Sequence, residues 1–141
     1  MPKPSIHFFC EDVDFKLKNQ KKTISWIKSA IQKEGKTTGE LNFIFCSDKH
    51  LLEMNIEYLQ HNTYTDIITF DTSEEEEIIG GDIFISIDRV QENAITFEKK
   101  ADDELHRVII HGVLHLIGYS DKSANKKTIM RGKEDAYLSL R

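Results

Sequence analysis

Between residues 108 and 118 the chain reads VIIHGVLHLIG, an apolar run interrupted only by two histidines and two glycines. A run of this kind has to be buried, and its spacing decides how. At about 100° per residue, Leu105, Val108, Ile109, Val113 and Leu116 share one face of a helix. Asp102, Asp103 and Glu104 put negative charge at its amino end, where the helix dipole favours it. His111 and His115 then stand only about 40° apart beside the apolar face, so both imidazoles point the same way. In apolar surroundings each ring needs a partner, because a polar group left unpaired there costs about 1–3 kcal/mol.

Shorter elements surround this helix. Residues 5–10, SIHFFC, and 41–46, LNFIFC, read as strands, joined by a helix from about Ser25 to Glu34 and a turn bracketed by Gly35 and Gly39. A second helix is expected from Lys49 to Leu59, capped by Ser47 or Asp48. DIITFD and GGDIFISID then form a hairpin across the acidic loop SEEEE, whose charges read as a solvated connection. Residues 88–99 are helical, and a last amphipathic helix from about Ala124 to Leu138 buries Ile129, Met130, Ala136 and Tyr137. Alternating elements followed by a helical half predict an α+β fold: a small mixed β-sheet with helices packed on it, the metal-binding helix in the carboxy-terminal half. The 141 residues suit one domain, 1–141.

Bulk properties narrow the function. A net charge of −5 argues against non-specific coating of nucleic acid, which rests on neutralising many phosphates. Lysines and arginines nevertheless bunch at residues 16–22, at Lys99 and Lys100, and across Lys122, Lys126, Lys127 and Arg131; the default reading is a solvated surface. Cys10 and Cys46 are too few for a disulfide framework and read as buried thiols. No stretch reaches the roughly 18 apolar residues of a membrane span, and the first residues lack the order of a signal peptide. A cytoplasmic protein with no membrane partner is expected.

The chemistry concentrates after residue 110. Gly118 is suited to end the helix in a left-handed conformation, so that Tyr119, Ser120 and Asp121 swing back past the histidines. Two histidines one turn apart can share a metal ion, and Asp121 can offer a third ligand. The spacing His-x3-His-x2-Gly-x2-Asp matches the metal skeleton of metzincin peptidases, but Gly112 stands where a zinc peptidase carries its glutamate base. With three protein ligands, a zinc ion keeps a position for water, whose pKa it lowers to about 7, which makes a hydrolase physically reasonable. The competing readings are core histidines bonded to backbone carbonyls with Asp121 a turn residue, and a closed structural metal site. His106 points away from the pair and reads as surface or core packing. His7, His50 and His61 have no partner that the sequence identifies.

The motif HGVLHLIGY closely resembles that of the YbeY family of metal-dependent endoribonucleases of ribosomal RNA maturation. The resemblance extends through Asn55, Tyr58, Thr65, Asp66 and Phe70, through Gly81, Asp82, Ile83 and Ser86, and to Met130 and Glu134. It implies cleavage of single-stranded RNA in ribosome maturation or quality control, one divalent metal ion, most simply zinc, and ribosomal RNA and ribosome-associated proteins as partners. Two positions depart from the family pattern. Asp121 replaces a third histidine, a mild change because zinc accepts a carboxylate oxygen at about the same distance. Leu59 replaces an arginine thought to act on the RNA, and leucine neither pairs with phosphate nor donates a hydrogen bond.

Lys49, His61 or Arg107 are the candidates for a substitute cation, and the catalytic residues stay unassigned. A groove between the strand ending near Phe70 and the metal helix would admit an unpaired strand, with Tyr64 or Phe70 stacking on bases; sheet core is the competing role for Phe70. The expectation is a zinc-dependent endoribonuclease using His111, His115 and Asp121. The alternatives are a ribosome-associated assembly factor with a structural metal and, third, a zinc peptidase.

Overall fold

The computed structural model describes residues 5–60 and 65–141. Strands β1 (Ser5–Cys10), β2 (Thr37–Cys46), β3 (Ile67–Asp71) and β4 (Ile78–Ser86) form one sheet in the order β1-β2-β4-β3, with helices α1 (Gln20–Lys33), α2 (Asp48–Leu59), α3 (Ile87–Thr96), α4 (Ala101–Ile117) and α5 (Ala124–Leu138) around it. β1, β2 and β4 run parallel, and β3 closes the edge antiparallel to β4, so the sheet is mixed and the expected hairpin is present. His61 and Tyr64 lie outside the described residues. No helix among the described residues is long and apolar enough to cross a membrane.

Strand alternation sorts the core onto two faces. Leu41, Phe43, Phe45, Ile83 and Ile85 meet Ile27 and Ile31 of α1 and Ile109, Ile110 and Val113 of α4 in the main cluster. On the opposite face Cys46, Ile68, Phe70 and Phe84 meet Leu51 and Met54 of α2. Each fully buried aliphatic side chain contributes about 1.5–3 kcal/mol relative to exposure, so the main cluster holds α4 against the strands. Burial pushes the Cys46 thiol up to about 12.

α1 follows from Thr23, Trp26, Ile27, Ala30 and Ile31, buried at helical spacing, and it begins at Gln20, earlier than the apolar pattern alone marks. It ends where Gly35 turns at φ 78° and Lys36 N–H donates to the Ile31 carbonyl at 3.1 Å. Gly39 lies inside β2 and not in that turn: a Cβ there would stand 2.7 Å from Ile78 Cγ2 and 3.1 Å from the Ile79 carbonyl oxygen, so the glycine permits close pairing with β4. The Ser47 hydroxyl caps α2 by accepting from His50 N–H at 3.1 Å.

In α5 Met130 and Tyr137 are buried as the pattern implies, but Ile129 and Ala136 are exposed. Glu134 occupies the buried stripe instead, because the partners it meets are polar. Cys10 is exposed too, and its thiol faces the Phe15 carbonyl; only Cys46 is a buried thiol.

Candidate functional site

α4 lies very close on the strands. A Cβ on Gly112 would sit 2.8 Å from Ile67 Cδ1 and 3.1 Å from Ile83 Cγ2, and one on Gly81 would come within 2.4 Å of the Phe70 carbonyl oxygen. The residue after His111 therefore faces the sheet, and a glutamate there would be driven into packed isoleucines. This contact also turns His111 toward α5. At the end of α4, Gly118 adopts φ 128°, and the N–H groups of Gly118 and Tyr119 both donate to the Leu114 carbonyl, at 3.1 and 3.0 Å. The chain reverses there and returns Asp121 to the helix it has left.

His111 and Asp121 are brought together. Asp121 Oδ2 stands 3.7 Å from His111 Nε2, and the other ring nitrogen, Nδ1, lies 2.7 Å from Glu134 Oε2. A carboxylate only accepts, so in the neutral ring Nδ1 carries the proton and Nε2 is the nitrogen with a lone pair on the Asp121 side. Glu134 is itself held: its Oε1 accepts from Arg107 Nη1 at 2.9 Å, and Arg107 Nη2 donates to Asp135 at 2.6 Å. Burial alone would lower the His111 pKa, but the hydrogen bond and charge of Glu134, with Asp121 and Asp66 nearby, carry it above the ordinary histidine value.

The rings are less enclosed than the apolar sequence implies. His111 is half-buried, and His115, one turn further along, is exposed, while Leu114 and Leu116 of the same turn are turned inward, Leu116 against Gly81 of the sheet. His106 is the enclosed histidine, packed against Trp26 with Nε2 3.3 Å from the Thr23 hydroxyl and Nδ1 2.7 Å from the Asp102 carbonyl, which makes it core packing.

A groove of about 370 Å³ opens beside His111 and Asp121. Its floor carries Asp66, Glu104 and Glu134. Burial raises the Asp66 carboxyl above the ordinary range, and burial together with the charge of Asp66 does the same to Glu104. Arg107 lines this groove, whereas Lys49 and Leu59 lie on α2, the helix of the opposite face. Phe70 belongs to that face as well. Its ring packs edge-on against Tyr58 and Phe84, each at 5.9 Å, so it serves the sheet and not the groove.

Among the described residues no group of three or more His, Cys, Asp or Glu side chains is gathered as a ready cation cage. The pair that does meet fits a metal ion. Its 3.7 Å separation is too long for a hydrogen bond and suits two donors sharing one tetrahedral zinc, whose ligands stand about 3.3 Å apart. The carboxylate behind the imidazole is the outer support that metal-bound histidines generally have. Glu134 stands in the sequence only as part of the family resemblance, with no role attached; its signal is an acid on the same helical face as Met130 and Tyr137.

On this α+β scaffold the His111–Asp121 pair stands beside an open groove. A family profile described as "Endoribonuclease YbeY" matches residues 5–140. A relative of that name from Cytophaga hutchinsonii is 52% identical over 141 residues, covering 100% of this chain and 99% of the relative. Another from Amoebophilus asiaticus is 49% identical over 138 residues, 98% of this chain and 94% of the relative. The solution structure of a Thermotoga maritima protein superposes with a TM-score of 0.67 at 27% identity, covering 96% of this chain and 87% of that one. The chain belongs to the endoribonuclease YbeY family, whose members are hydrolases of RNA.

Proposed function

We propose that residues 1–141 act as one endoribonuclease domain that cuts single-stranded RNA in the cytoplasm, with ribosomal RNA as substrate in ribosome maturation and quality control alongside ribosome-associated proteins. In this reading His111, His115 and Asp121 hold one divalent metal, zinc by the chemistry of the donor set. The observation that carries it is the His111 ring, clamped at Nδ1 by Glu134 and facing Asp121 with Nε2 at the head of an open groove. A divalent ion bound there supplies Lewis acidity for phosphodiester hydrolysis. The chain's own part is to fix the imidazole through Glu134, to anchor Glu134 through Arg107, and to return Asp121 through the Gly118 reversal.

Incubating the protein with single-stranded ribosomal RNA, with and without chelator, tests the reading. Cuts that vanish on chelation and return with zinc are expected. Asp121→Ala should lose most of its bound metal, and a full equivalent still tightly held by that variant overturns the third ligand.

One observation favours a second reading, a ribosome-associated assembly factor with a structural metal. Leu59 stands where the family pattern has an arginine, and α2, which bears it, packs on the far face of the sheet. RNA binding without cleavage in the same assay supports this alternative. Peptidase chemistry has no support, since the position after His111 has no room for the required glutamate.

A further inference from the structure

We infer that Phe97 is the base platform of a nucleotide subsite in the groove beside His111, with Lys127 and Arg131 holding the strand's phosphates from the opposite lip. This rests on the endoribonuclease reading and adds how the strand is gripped.

Phe97 lines the same groove as His111 and Asp121, yet its side chain is 57% exposed. The ring belongs to neither apolar core cluster. The backbone beneath it is pinned: Phe97 N–H donates to the Asn93 carbonyl at 2.9 Å, and Lys99 N–H to the Ala94 carbonyl at 2.8 Å. Between them Glu98 takes φ 55°, a left-handed turn that few non-glycine residues adopt. The ring is thus presented on a fixed support with two side-chain torsions, which keeps the entropic penalty of stacking small. Asn93, one turn back on α3, lines the groove too and supplies an amide for a base edge.

Across the groove α5 offers cations. Lys127 and Arg131 are exposed, line the groove one helical turn apart, and their side chains make no hydrogen bond or ion pair among the described residues. Arg107 differs, being held by Glu134 and Asp135. Asp66, Glu104 and Glu134 line the floor, so the cations that can meet the phosphates flanking the stacked base are those of the lip. Stacking on an aromatic ring tolerates any base but demands an unpaired one, so the arrangement selects single strands. It also assigns cationic groups to a chain in which the arginine position is Leu59.

The test is steady-state cleavage, and anisotropy binding, of a short fluorescein-labelled single-stranded RNA and of copies carrying one abasic nucleotide at successive positions. Phe97→Ala is expected to raise KM or Kd roughly 5- to 150-fold with kcat little changed, and Phe97→Trp to restore it. One abasic position should erase the difference between wild type and Phe97→Ala. Lys127→Gln with Arg131→Gln should lower the slope of log affinity against log salt by about 1.4. A wild type that neither binds nor cuts RNA removes the endoribonuclease reading itself. A wild type that does so, beside a Phe97→Ala variant of equal affinity and unchanged melting, overturns the subsite alone and gives the exposed ring to a protein-docking surface.

Discussion

Two atoms of Glu134 do two jobs. Oε2 accepts a hydrogen bond from His111 Nδ1–H and Oε1 accepts one from Arg107 Nη1, so one buried carboxylate sets both the tautomer of the imidazole and the position of the nearest cation. Removing the charge while keeping the shape separates these roles. Glu134→Gln still accepts from Arg107 through its carbonyl oxygen but weakens the support behind His111, and zinc affinity is expected to fall about 10- to 100-fold. Competition against a chromogenic chelator reads this directly, with circular dichroism to show an unaltered fold. An affinity equal to wild type would remove Glu134 from the site.

At the level of elements, the loop that returns Asp121 is moored by a carboxylate far away in sequence. Glu34, at the end of α1, accepts hydrogen bonds from the Tyr119 hydroxyl at 2.5 Å, from the Tyr137 hydroxyl and from Lys133 Nζ at 3.1 Å. Burial alone would raise the Glu34 carboxyl, but these donors hold it below its ordinary value, and burial with Glu34 pushes the Tyr137 phenol up. The network ties α1, the turn after α4 and α5 into one unit, and Tyr119 stands two residues before Asp121. Glu34→Ala leaves the hydroxyls of buried Tyr137 and half-buried Tyr119 without their acceptor and is expected to destabilise the fold by about 2 kcal/mol. Thermal melting measures that loss. A parallel drop in metal affinity is expected, because the Asp121 loop loses its mooring.

For the molecule as a whole, the enclosed histidine couples stability to pH. Burial lowers the pKa of His106, which reaches from α4 to Thr23 and Trp26 of α1. The folded ring takes up its proton at lower pH than the unfolded chain, which does so near about 6.5, so as pH falls through that value the unfolded state binds more protons and this contribution to folding stability declines. This contribution lowers the melting temperature between pH 7.5 and 5.5. His111, whose pKa is raised, acts in the opposite direction in the metal-free chain. The comparison with His106→Gln isolates the first effect: that variant should show a shallower decline, and an identical slope would rule His106 out as its source.

Periodicity and punctuation made the elements legible. The apolar stripe of α4, the Ser47 cap, the strand pair around the acidic loop and the Gly118 reversal each depend on residues near one another in the chain, and each is present in the fold. His111 and Asp121 were readable for the same reason, being separated by one turn and a glycine. What only the tertiary structure decided involves partners from distant segments. Gly112 is required by Ile67 and Ile83 across the sheet, and Glu134 reaches His111 from another helix. Phe70 is turned to the far face by the strand register, and Phe97 joins the groove because α3 packs beside α4. A sequence states which residue types recur at which interval, and that determines helices, strands and turns. Which side chains then share a cavity depends on how those elements dock, a balance of burial and hydrogen bonding summed over the whole molecule.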